Sequence, residues 1–273
     1  NSKYESPSVL YIPSEYNGYR VKRIGVMYNI KNVKSVTIAE GVTSIGNRAF
    51  SDCSKLTSIE IPSSVTSIGA STFRNCSSLT SIKIPEGVTS IGNYAFSKCS
   101  NLTSIEIPSS VTRIGDEAFD SCSSLTSINI PEGVTSIGND AFAGCRKLTS
   151  IEIPSSVTII GTNAFFACIS LTSINIPEGV TSIGASTFSS CSSLTSIKIP
   201  EGVTSIGNDA FDGCWKLTSI EIPSSVTSIG NFAFYDCSNL TTINYHGTPE
   251  QFSAITIGSY NDYFKNATVN YIE

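Results

Sequence analysis

The placement of the cysteines restricts this chain more than any other feature. All nine, at positions 53, 76, 99, 122, 145, 168, 191, 214 and 237, stand 23 residues apart in one register. A phenylalanine precedes each by three positions, from Phe50 to Phe234, and a leucine follows each by three, from Leu56 to Leu240. A unit of this length cannot bury an apolar face alone, so neighbouring units must stack and share a continuous core. The chain is therefore assigned to a repeat solenoid before any secondary structure is considered.

Within one unit, Leu56-Thr57-Ser58-Ile59-Glu60-Ile61-Pro62, the isoleucines alternate with polar residues at period two. That pattern predicts a β-strand with one buried face, and stacking makes a parallel sheet of it. Pro62 stops the strand, and Val65 to Ile68 forms a second, shorter extended segment closed by Gly69, a residue free to take positive φ. Asn47, Asn93, Asp116, Asn139, Thr162, Asn208 and Asn231 follow that glycine. They stand where a short helical turn carrying Ala-Phe-x-x-Cys needs an N-cap. Ala70 and Ala185 depart from this, with Ser71 and Ser186 as substitutes. The phenylalanine, the largest apolar group of each unit, is expected to fill the coil and stack on its neighbour. The predicted fold is a right-handed, β-rich leucine-rich-repeat solenoid of nine coils plus caps, spanning on the order of 45 Å at ~4.8 Å per coil. Pro-Ser-Ser corners tend to alternate with Pro-Glu-Gly corners, the alternation failing at Glu178-Gly179 and Glu201-Gly202, which points to duplication of two-repeat blocks.

Three segments follow. Residues 1–38 read as a degenerate capping repeat, since Tyr11-Ile12-Pro13, Val21 to Gly25 and Val33 to Ile38 echo the unit while Val26-Met27-Tyr28-Asn29 replaces Ala-Phe-x-x-Cys. Residues 39–244 form the array. Residues 245–273, with Gly247 to Glu250, Phe252, Ile255, Ile257 and Ala267 to Tyr271, form the C-terminal cap. The chain opens at Asn1 without Met, which fits removal of a leader or trimming of a longer protein.

Charged residues make up 14% of the chain, and 17 Lys and Arg against 22 Asp and Glu give a net charge of -5 without a long block of either sign. Nucleic acid is not an expected partner, because no basic stripe is evident. No apolar run approaches the ~20 residues of a membrane span, so this chain is not expected to insert in a membrane. Nine is an odd number of cysteines, stacked identical positions point their Cβ vectors in parallel, and no Cys-x-x-Cys is present, so neither disulfide nor metal tetrad is expected. The cysteines should be a ladder of reduced, buried fillers. The one histidine, His246, falls in the C-terminal cap as a turn residue, and the repeated acids Glu86, Glu132 and Glu178 sit in proline turns facing solvent, so no catalytic residue and no cofactor is assigned.

Interaction candidates come from two places. Glu60, Lys83, Glu106, Asn129, Glu152, Asn175, Lys198, Glu221 and Asn244 form the outward row of the sheet, a polar face beside rows of Thr57-type and Ser58-type hydroxyls. At positions the scaffold leaves free, Phe166, Ile169, Trp215, Phe232 and Tyr235 interrupt rows of small or polar residues, and Tyr94 is an isolated relative. Exposed aromatic clusters of this kind mark interaction sites. The alternative is that they pack on neighbouring coils, Phe232 and Tyr235 against the C-terminal cap.

Leu-x-x-Ile-x-Ile-Pro followed by Val-Thr-x-Ile-Gly and Ala-Phe-x-x-Cys, as at 102–122, resembles the BspA-like (Treponema-type) leucine-rich repeats of bacterial and some protist surface proteins. It differs from the general leucine-rich repeat in having Ser64 where that pattern places Asn. The resemblance implies a secreted or surface-attached protein associated with adhesion. The expected function is a non-enzymatic, adhesin-like extracellular module binding a host or matrix protein or glycan. The alternative is a structural spacer or self-assembly element of a larger surface protein, with self-association as its partner class.

Overall fold

A computed structural model describes residues 8–27 and 30–272. Residues 1–7, Tyr28, Asn29 and Glu273 lie outside the described residues, including the last two residues of the stretch that replaces Ala-Phe-x-x-Cys in the N-terminal coil.

Each coil has two short strands and an arm of turns. The first strands form a parallel ladder in two blocks: the first holds Val9–Ile12, Ser35–Ile38 and Ser58–Glu60 as one paired set and Ser81–Lys83 with Ser104–Glu106 as another, and the second runs through Ser196–Lys198, Ser219–Pro223, Thr242–His246 and Thr268–Tyr271. Between these blocks the ladder thins to one bridging pair, Asn129 with Glu152. The second strands, from Arg23–Ile24 to Thr256–Ile257, form the other parallel ladder in three paired sets, interrupted after Ile68 and after Ile160, with Ile45, Ile68, Ile91 and their equivalents buried beneath it. The register is 23 residues throughout the array, so every side chain sits on its own counterpart.

The arm is a run of β-turns where the sequence suggested a helical turn. Ala49, Ser51 and Cys53 donate to Gly46, Arg48 and Phe50, three residues back, while the intervening Arg48, Phe50 and Asp52 donate forward to Ala70, Thr72 and Arg74 of the next coil. A helix would consume every N–H within the coil, whereas this alternation sends every second one across the stack. The turns require left-handed backbone at two places per arm: Arg48 and Asp52 have φ of 57° and 64°, and their equivalents through Phe232 and Asp236 do likewise. Glycine meets this requirement at Gly144 and Gly213, with φ of 68° and 69°.

Two local expectations are corrected. Gly69 and its equivalents do not take positive φ; what they provide is close approach. A Cβ on Gly69 would lie 2.5 Å from the backbone nitrogen of Asn47 in the preceding coil, and one on Gly138 would lie 2.6 Å from that of Asp116. The asparagines after the glycine do not cap their own arm. Asn47 Oδ1 accepts the N–H of Ala70 at 2.9 Å, and Asp116, Asn139 and Asn208 accept from Asn139, Thr162 and Asn231 in the same way. The row therefore rivets coil to coil, and among the described residues Ala70, Thr162 and Ala185 are its missing rivets.

The core is a column of rings. Phe50 through Phe234 are fully buried, with adjacent centroids 5.2–5.7 Å apart and nearly parallel planes. Phe264, on the helix Asp262–Asn266 of the C-terminal segment, completes the column 4.6 Å from Phe234. A preceding helix, Pro249–Ser253, begins with a capping box in which Gln251 N–H donates to Thr248 and Gln251 accepts from Thr248 N–H. At the corners, the second serine of Pro-Ser-Ser bonds the coil before it: Ser64, Ser110, Ser156 and Ser225 each donate to the valine carbonyl of the preceding Glu-Gly coil at 2.6–2.7 Å. The two corner types are thus complementary halves of one contact, which gives their alternation a structural reason.

Since the second left-handed position is filled by Gly144 in one coil and Ala167 in the next, opposite responses are expected there. Gly144→Ala should cost about 1 kcal/mol, while Ala167→Gly should be neutral or stabilising, against the usual penalty for introducing glycine. Urea midpoints of the two variants test this; equal losses in both would rule out the left-handed requirement.

Candidate interaction surface

Cysteine chemistry is decided by burial. All nine thiols are free and buried. Eight donate to the backbone carbonyl of the phenylalanine in the preceding coil, as Cys76 to Phe50 at 3.2 Å and Cys237 to Phe211 at 3.1 Å. The position thus suits cysteine as a small apolar group that also carries a weak donor. Burial pushes the thiols of Cys99, Cys168 and Cys237 up to about 12, and burial together with the charge of Asp52 pushes Cys53 to about 11. Such thiols are poor nucleophiles and poor ligands.

His246 ends the strand Thr242–His246, its Nε2 3.7 Å from a carboxylate oxygen of Glu221 and without a hydrogen bond among the described residues. No group of three His, Cys, Asp or Glu able to hold a metal is found among the described residues, and no described helix is long and apolar enough to cross a membrane.

The outward row of the first ladder is placed as its alternation requires. Lys83 Nζ lies 3.7 Å from Glu106, and Asn270 donates to Asn244 across the last pair. A groove of about 460 Å³ opens on this face where the ladder thins, lined by Asn129, Glu132, Glu152, Ser155 and Asn175.

The variable residues separate into three settings. Phe166, on the arm, is 41% exposed. Ile169 and Trp215, 40% and 54% exposed, sit immediately after Cys168 and Cys214, in the β-turn that Leu171 and Leu217 close by donating to those cysteine carbonyls. Phe232 is half-buried at a left-handed position and stacks on Tyr260 of the C-terminal segment at 4.4 Å, while Tyr235 meets it edge-on at 5.7 Å and stays exposed. Tyr94 lies apart, half-buried, with Arg74 5.9 Å above its ring. Phe166 thus lies exposed on the arm, Ile169 and Trp215 lie exposed at the same position of the turn after cysteine, and Phe232 is tied to the cap.

Other exposed residues escaped the sequence pattern. Ile159 is 61% exposed on the second ladder, in a row otherwise of serine and Arg113; the signal was Val-Thr-Ile-Ile-Gly in place of Val-Thr-Ser-Ile-Gly. Tyr16 and Tyr19 flank an antiparallel hairpin whose turn, Asn17-Gly18, has positive φ at both residues, a two-residue turn legible from Asn-Gly.

Stacked coils with a parallel sheet on one side and short turns on the other define a leucine-rich repeat solenoid. The model of the BspA type leucine rich repeat region, in six copies, matches residues 24–149 and 135–266, and the chain belongs to that family. It is similar to a leucine-rich cell surface protein of Faecalibacterium prausnitzii A2-165, with 34% identity over 93% of this chain and 83% of that one, at a TM-score of 0.49. A leucine-rich repeat protein of T. pallidum shares 26% identity over 76% of this chain and 78% of its own, at a TM-score of 0.51. A leucine-rich repeat protein from Bacteroides ovatus shares 27% identity over 97% of this chain and 92% of its own, at a TM-score of 0.43. No curated protein matches the sequence.

The raised thiol values carry a sign. A thiol ordinarily near 9.0 and folded near 12 favours the native state fully at neutral pH. That contribution falls as pH rises from about 9 towards 12, by up to about 1.4 kcal/mol per pH unit for each thiol. Cys168→Ala should therefore flatten the alkaline decline in stability by about one proton between pH 9 and 11. Denaturation midpoints across that range test it; an unchanged slope would show that Cys168 ionises in the folded chain as it does in the unfolded one.

Proposed function

We propose that the chain is a non-enzymatic, adhesin-like interaction module displayed outside the cell, binding a host or matrix protein or glycan. The observation that carries this reading is the exposure of Phe166, Ile169 and Trp215. Their equivalents in other coils are mostly small or polar, the scaffold does not use their side chains, and each remains substantially exposed. Large apolar groups held in water by a rigid support are what partner recognition requires. Tyr235 and the ring of Phe232 extend the same side of the molecule towards the C-terminal segment, and Tyr94 contributes at the other end. Likeness to a bacterial cell surface protein supports the location.

The test is binding of the purified chain to a panel of matrix proteins, serum proteins and glycans, beside Phe166→Ser and Trp215→Ser. Saturable binding that weakens about tenfold or more in either variant, with the thermal transition unchanged, is the expected result. No binding to any panel member by a folded chain would favour a spacer that projects another domain and has no ligand of its own.

A further inference from the structure

The two residues after each cysteine occupy the central positions of the turn that leucine closes; where they are Ser77, Ser123, Ser192 or Asn239 the side chain bonds a backbone carbonyl of the preceding coil. Across the nine coils these pairs are Ser54-Lys55, Ser77-Ser78, Ser100-Asn101, Ser123-Ser124, Arg146-Lys147, Ile169-Ser170, Ser192-Ser193, Trp215-Lys216 and Ser238-Asn239. In a chain of net charge -5, this row holds four cations and no acid. Arg146, Lys147 and Lys216 are exposed, and among the described residues none lies within ion-pair distance of a carboxylate. Lys55 instead donates to Asn32 at 2.8 Å.

The corner continues into a groove of about 480 Å³ along the arm. Its floor is made of small residues, Ser121, Ser123, Ala143, Gly144 and Ala167, and its flanks carry Lys98, Arg146 and Phe166. The one acid in it, Asp120, is held by Ser97 and Ser121, whose hydroxyls donate to its two oxygens at 3.2 Å and 3.0 Å. Asp209, Asp212 and Asp236 stand on the arm beside Trp215 and not in the corner row.

The spacing adds a second constraint. Lys98 and Arg146 lie two coils apart, as do Phe166 and Trp215, an axial separation of about 10 Å at ~5 Å per coil, although the two members of each pair stand at different positions around the coil. A pyranose advances an extended chain by about one coil spacing, so a linear polysaccharide along the solenoid axis would present every second sugar to this pattern. We propose that the corner and its groove bind an anionic linear polysaccharide. Arg146, Lys147 and Lys216 pair with its carboxylate or sulfate groups, Phe166 and Trp215 stack on sugar faces, and the corner serines bond its hydroxyls. A protein epitope is the less favoured occupant, because the floor is made of small residues and offers no deep apolar pocket for an anchor. This inference rests on the interaction-module reading and names its ligand class.

The experiment titrates the folded chain with heparin, hyaluronan, neutral dextran and poly-glutamate of similar length. The expected result is saturable binding to at least one anionic polysaccharide, weakened as salt rises from about 0.05 to 0.2 M, with dextran unbound. The triple variant Arg146→Ser, Lys147→Ser, Lys216→Ser should lose about tenfold or more in affinity, and Trp215→Ser should lose several-fold without changing the salt dependence. Lys22→Ser with Lys34→Ser, distant cations, should bind as the unaltered chain does. Equal binding of poly-glutamate, or retention of affinity in the triple variant, would overturn the proposal by showing charge without a site. If no anionic polysaccharide binds while a panel protein is lost in Trp215→Ser, this inference fails and the broader reading stands; if neither binds, both fail.

Discussion

The contact of one coil with the next governs everything else in this molecule. A 23-residue coil has too little regular structure to satisfy its own backbone, so its N–H groups are shared out across the stack. The second ladder donates to the coil before, as Thr66 to Thr43 and Gly69 to Ile45; the first donates both ways, as Thr103 to Thr80 and Ile199 to Glu221; and the arm donates to the coil after, as Phe50 to Thr72. Opposed directions on opposite sides lock each coil between two neighbours. The same contact dictates side chains. Glycine stands where backbones come closest, asparagine where an orphan N–H needs an acceptor, and cysteine where a donor must fit beside stacked rings.

Such a scaffold divides its residues sharply. Inward positions are bound by packing and repeat almost without change. Outward positions on the strands are constrained less, yet threonine hydroxyls there bond the preceding coil, as Thr57 to Lys34 and Thr103 to Thr80, so even these rows serve the stack. The corner turn after cysteine is different. Serines there, such as Ser77, Ser123 and Ser192, bond the preceding coil, yet the near-identical repeats also diverge at this turn, with Arg146-Lys147, Ile169 and Trp215-Lys216 against that background of serine. A rigid repeat can therefore carry a specific surface on a few substitutions without disturbing its own stability.

Much of this was legible in the chain. The spacing of Phe, Cys and Leu identified the stack, the buried ring column and the free thiols, because a strict period leaves one way to superpose the units. The partners of the periodic residues were not legible. Asn47 looked like a cap for its own arm because local contacts are the ones a sequence displays; its true partner, Ala70 N–H, is 23 residues away. The arm looked helical for the same reason, since a helix and a run of β-turns share their i to i−3 proximity and differ in where the remaining N–H groups go. Tyr16 and Tyr19 on their Asn17-Gly18 hairpin, and Ile159, were visible as departures and were passed over beneath the stronger repeat signal.

The sequence by itself determined the class of fold, the register of stacking, the composition of the core and the list of residues that break the pattern. These follow from periodicity, which acts along the chain. Only the tertiary structure decided which pattern-breaking residues share a surface. It tied Phe232 to Tyr260 of the C-terminal segment and left Phe166, Ile169 and Trp215 in the open. It also set the corner cations in a line parallel to the axis. The physical reason is that exposure depends on how far each coil's turn projects beyond its neighbours, and that is fixed by the geometry of stacking, which no single repeat contains.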